Sequence, residues 1–111
     1  MQPSTLAIFV FLIAALLEVA GDAVIRVGLR GGGFMVIVIG FSMLGTYGVV
    51  VNLLGWDFSR LFGVYVAVFA TVAVLVGRLV FHEAVPASTW TGLAVVVVGG
   101  LIIQFGPLFA K

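Results

Sequence analysis

An all-α membrane fold of four transmembrane helices is what this chain predicts, and three observations carry it. Hydrophobic residues make up 64% of its 111 residues, well above the roughly 45–50% apolar usage of soluble domains. Only 8% are charged. The few charges divide the sequence into four apolar stretches, each near the ~20 residues a helix needs to cross the hydrocarbon. Backbone polar groups in lipid must be satisfied within the segment, so these stretches are read as helices. The alternating short strands of a membrane barrel are missing from the sequence.

In chain order the spans are Thr5–Val24, Phe34–Leu54, Leu61–Phe81 and Thr89–Leu108. Together they are expected to form a single four-helix transmembrane domain over residues 1–111, with no room for a soluble domain. The first span has no basic segment ahead of it, carries Glu18 and Asp22, and is followed by three more spans, so it is expected to be retained rather than cleaved as a signal peptide. Gly31-Gly32-Gly33 lacks the Lys and Ser/Thr of a phosphate loop and is expected to turn the chain into the second span. That span is mostly plain apolar and glycine, with Tyr47 and Asn52 as its polar points. In the third, Phe62, Tyr65 and Phe69 are spaced three and then four residues apart and so share one helix face. Turned toward a site, these rings would hold a hydrophobic or cationic compound through packing and cation–π attraction; turned outward they would be ordinary lipid-facing residues. In the fourth, Gly92 and Gly99 lie seven residues apart with Gly100 adjacent, a pattern that lets helix backbones approach closely and is read as a dimer contact. Gln104 and Asn52 are expected to make interhelical hydrogen bonds.

Charge placement bears on assembly. Helices one and three leave the membrane on the same side, so Arg26, Arg30 and Arg78 share one face, while Arg60 and Lys111 share the other with the N-terminus. The Lys/Arg bias that normally fixes orientation is nearly balanced. A chain of this kind is expected to insert both ways and pair with an inverted copy of itself, giving as an antiparallel, dual-topology homodimer the inverted-repeat symmetry that larger transporters build into one chain. Four short helices can hardly enclose an aqueous chamber alone, and a dimer removes that difficulty.

The most informative residue is Glu18, thirteen residues into the apolar run that begins at Thr5. An acid at that depth costs at least about 2.5 kcal/mol on lenient insertion scales and is by default a functional-site hypothesis. Asp22 and Arg26 follow at four-residue steps on the same face. Either Asp22 pairs with Arg26 near the interface and leaves Glu18 deeper, or Glu18 and Asp22 share protons as a coupled pair. A purely structural hydrogen bond from Glu18 to another helix is the third possibility. The Tyr65 hydroxyl is the first candidate partner for an ionised Glu18 and Tyr47 the second. Other chemistry finds no support: there is no cysteine, and the single histidine, His82, stands beside Glu83 in a loop. No metal, cofactor, nucleic-acid site or enzymatic Ser/His/Asp set is expected.

The run Leu17-Glu18-Val19-Ala20-Gly21, a basic residue at Arg26, an aromatic at Tyr65 and the Gly92 to Gly99 spacing resemble the small multidrug resistance transporters of the drug/metabolite transporter superfamily. Ser59-Arg60-Leu61-Phe62 leading to Tyr65, then Arg78, Trp90-Thr91-Gly92 and Leu101-Ile102-Ile103 are similar to the YnfA-like branch of that group. The resemblance implies a multi-pass protein of the bacterial inner membrane, working without a cofactor as an antiparallel homodimer. It implies efflux by proton antiport, with Glu18 alternately binding a proton and a small organic cation, Tyr65 as a site wall, and Gly92 and Gly99 at the dimer contact. Where the family has tryptophan this chain has Tyr65, and where it has a small or uncharged residue this chain has Asp22. Both changes imply a more acidic, less aromatic site, suited to a polyamine or another hydrophilic cation.

A second resemblance lies in His82-Glu83-Ala84-Val85, with Trp90 and Gly92 after it, and in the Leu-Leu-x-Val-Ala-Gly run of helix one. These are similar to the small subunits that flip undecaprenyl-phosphate aminoarabinose. That resemblance implies Arg26 and Arg78 at a lipid phosphate and the carboxylates at an amino sugar; a paralogous small subunit in place of the second copy is the alternative partner. Those subunits generally lack a carboxylate at the Glu18 position, so the flippase ranks second. A non-transporting membrane subunit would explain the small size and leave Glu18 without a role.

Overall fold

The computed structural model of the protein describes residues 3–108, with side chains from 5 to 107. The described residues are helical, with turns and short loops and no strand. Helix α1 runs Pro3–Val27, α2 Phe34–Asn52, α3 Phe58–Leu79 and α4 Ala87–Phe105, followed by a short 3-10 turn, Gly106–Leu108. All four helices are long and apolar enough to cross a membrane. Lys111, which entered the charge comparison, lies outside the described residues.

The chain divides into two compact units, residues 1–55 and 56–111, each an antiparallel helix hairpin. In the first, α1 closes through a single wide turn, Gly28–Gly32, into α2. Gly31 and Gly33 there have φ of 111° and 98°, a region that costs an L side chain strain and glycine almost nothing. The glycine turn expected from the sequence is present. The two helices then meet at glycines. A Cβ on Gly40 would stand 2.9 Å from the Gly21 carbonyl oxygen, and one on Gly28 3.0 Å from the Ile37 nitrogen. Backbone atoms approach closely at the crossing, and the side chains of Ile25, Ile37 and Leu44 pack onto the same glycines.

The second hairpin has a longer loop. Beyond α3, Val80 and Phe81 both donate to the Val76 carbonyl, and the Glu83 N–H donates to that of Gly77. Carbonyls that a helix end would leave unpaired are thereby satisfied. Pro86 precedes α4 and its carbonyl accepts the Thr89 N–H at 3.0 Å. The helices pack where Gly63 of α3 faces Ile103 of α4, and where Gly100 of α4 faces Ala67 of α3. Here each glycine receives a side chain.

Most large apolar residues point outward, among them Phe34, Phe41, Phe58 and Ile102. In water such a surface would aggregate; in lipid it meets a solvent as apolar as itself. Several polar side chains on these helices satisfy themselves locally. Ser42, Thr46, Thr71 and Thr91 hydroxyls donate to carbonyls four residues back, and the Asn52 amide does so to Gly48. Asn52 was expected to bridge helices and instead bonds within α2, because a carbonyl of its own last turn is in reach.

Candidate functional site

Helix α1 has two unlike faces. Ala7, Phe11, Ala14, Ala15 and Val19 are buried, whereas Leu6, Phe9, Ile13 and Leu16 are exposed. Glu18 follows Phe11 and Ala14 at helical spacing and precedes the buried Gly21, so it belongs to the covered stripe and is itself half-buried. At 1.5 Å per residue it lies about 22 Å beyond Pro3 and about 14 Å short of Val27, deep within the span. Asp22, one turn further, is exposed, as is Arg26.

The antiparallel register then selects a partner from α2. Gly21 packs on Leu44, and Gly40 packs on Ile25. Reflected through the same turn, Glu18 falls level with Tyr47. The half-buried Tyr47 phenol feels the charge of both Glu18 and Asp22. Three ionisable groups, two acids and one phenol, therefore gather in the first hairpin around the C-terminal half of α1. An ionised carboxylate accepts, and a phenol donates, so Tyr47 is chemically suited to steady a charged Glu18. Sequence reasoning ranked it behind Tyr65. The signal that would have raised it is the position of the three-glycine turn, which fixes the residue opposite Glu18 once the hairpin is assumed.

The aromatic stripe is present in the second hairpin and is longer than expected. Phe58 and Phe62 have ring centroids 4.7 Å apart, Phe62 and Tyr65 meet edge to face at 6.4 Å, and Tyr65 and Phe69 stack at 6.2 Å. Tyr65 is only 2% exposed, so the ladder has a covered centre. Glu18 and Tyr65 stand on separate hairpins. Arg78 is exposed in the last turn of α3, a favourable end for a cation. Gly92 and Gly99 have open space where a Cβ would project, whereas Gly100 is pressed against Ala67. One glycine of the trio packs within the hairpin and the other two are open.

Among the described residues no group of three or more His, Cys, Asp or Glu side chains is placed to hold a metal ion. No protein-family model matches the chain, and neither a curated protein nor a solved structure matches it.

Proposed function

We propose that the chain is a proton-coupled antiporter for small cations, built as an antiparallel homodimer of the small multidrug resistance type and closest to its YnfA-like branch, in the inner membrane of a bacterium. One observation carries the reading: Glu18 sits on the covered face of α1, deep within an apolar span, with Asp22 one turn away and Tyr47 across from it. An acid kept at such cost is retained for an ion or a proton. A carboxylate can hold one or the other, and that exclusion couples two opposed flows. Two hairpins per chain and an open glycine face on α4 suit assembly with a second copy. Asp22, exposed and acidic, suits a hydrophilic cation, and the half-buried Phe62 and Phe69 rings on either side of the covered Tyr65 offer aromatic surface to an apolar one.

The test is pH-gradient-driven uptake of polyamines, guanidinium compounds and tetraalkylammonium ions into liposomes holding the purified protein. Gradient-dependent uptake by the wild type and none by Glu18→Gln supports antiport. Transport of no cation by a folded, dimeric protein overturns it and turns attention to lipid-linked amino sugars, with Arg26 and Arg78 as the residues to change.

A further inference from the structure

We propose that Arg60, Trp56 and Gln104 form a seat for the phosphate of an anionic phospholipid where α3 begins and α4 ends. Arg60 lies within the first turn of α3 and is half-buried. Its Nη2 donates to the Gln104 Oε1 at 2.9 Å, and its guanidinium carbon lies 4.0 Å from the centre of the Trp56 ring. Both partners are neutral. The amide uses one of five donors and the ring covers a face without using any, so the guanidinium is held in place with donors to spare. Among the described residues it has no carboxylate partner.

Location selects the ligand. Trp56 falls between the end of α2 and the start of α3, and tryptophans at span ends sit at headgroup level. Phosphodiesters are the anions concentrated there, and a guanidinium fork matches two phosphate oxygens. Phe58, Ile102 and Phe105 are all exposed around the same end of the two helices, so acyl chains have an apolar wall beside the charged seat. That wall favours a lipid over free phosphate. A headgroup with net negative charge would neutralise Arg60, whereas a zwitterionic one brings its own cation. The seat is independent of whether the chain exports cations.

The experiment places full-length protein in nanodiscs of phosphatidylcholine alone or mixed with phosphatidylglycerol, followed by native mass spectrometry of retained lipid and by thermal unfolding. Wild type is expected to retain phosphatidylglycerol over phosphatidylcholine and to melt higher in the mixed discs. Arg60→Gln should lower that preference about tenfold, the scale of a lost charge-assisted hydrogen bond. Arg60→Lys should keep part of it, and Gln104→Leu, which frees the fork but leaves the charge, should weaken it. If Arg60→Gln does not fold, the other two variants carry the test. A wild type without lipid preference, with the variants losing equal stability in both discs, would make the cluster a structural clasp and overturn the proposal. So would an equal rise in melting temperature on adding inorganic phosphate to phosphatidylcholine discs, since the ligand would then be soluble phosphate.

Discussion

The two hairpins use glycine differently. In the first, Gly21 and Gly40 meet backbone as well as the side chains of Leu44 and Ile25: a Cβ on Gly40 would fall 2.9 Å from a carbonyl oxygen and 3.1 Å from the Ile25 nitrogen, with the Ile25 Cγ1 nearer still. In the second, Gly63 and Gly100 receive side chains, Ile103 and Ala67. Backbone cannot rotate out of the way, and a side-chain end can. The first hairpin is consequently locked in register, and it is the one that carries Glu18, Asp22 and Tyr47. The antiport proposed above would need the neighbours of that carboxylate fixed, and a glycine crossing one turn away fixes them. The second hairpin carries the aromatic ladder and the Arg60 cluster, where packing through side chains leaves more latitude.

The strongest way to break this contrast is Gly40→Val. Its methyl groups have no volume to enter without parting α1 from α2, and overpacking on this scale is expected to cost about 3 kcal/mol. Reversible unfolding in mixed micelles measures it, and a loss below about 1 kcal/mol would mean that the crossing is not rigid. Gly100→Ala comes next. The obstacle there is the Ala67 Cβ at 2.7 Å, which has no rotamer to change, so about 1–2 kcal/mol is expected by the same unfolding assay. The smallest effect belongs to Gly63→Ala. The nearest atom is the Ile103 Cδ1 at 2.6 Å, with the rest of that side chain at 3.5 Å or beyond. Turning the end of Ile103 costs about 0.5–1.5 kcal/mol, and replacing a helical glycine by alanine returns about 1 kcal/mol. A melting temperature close to wild type is expected, and a fall as large as that of Gly100→Ala would refute the difference between flexible and rigid neighbours.

Hydropathy makes the four helices legible in the sequence, because a span in lipid must be both apolar and self-bonded. The ends were less legible where charges lie inside a helix. The third helix starts at Phe58, ahead of the expected Leu61, because Arg60 is held by Gln104 and Trp56 and can enter the first turn. The first helix runs past Val24 to Val27, taking in Arg26, whose long stem lets the charged head reach the interface. The third stops at Leu79, short of Phe81, where Glu83 folds back to bond Gly77. Of the candidate site, the acidic face of α1 and the aromatic stripe of α3 follow from spacing alone. The placement of Tyr47 opposite Glu18 depends on which helices touch and in what register, which hydropathy does not encode. Gln104 was correctly expected to bond across helices, but the sequence did not show that Arg60 would be its partner.

Exchange of a proton for a cation at Glu18, as proposed above, has a direct signature in proton release. Purified protein in weakly buffered solution is titrated with candidate cations and the protons released are counted, for wild type and for Glu18→Gln. The variant keeps the shape and hydrogen-bonding capacity of the side chain and removes its proton. Release from the wild type that saturates with cation, and none from a folded Glu18→Gln, is the expected result. Equal release from both, or cation binding by the wild type without any release, would contradict the claim.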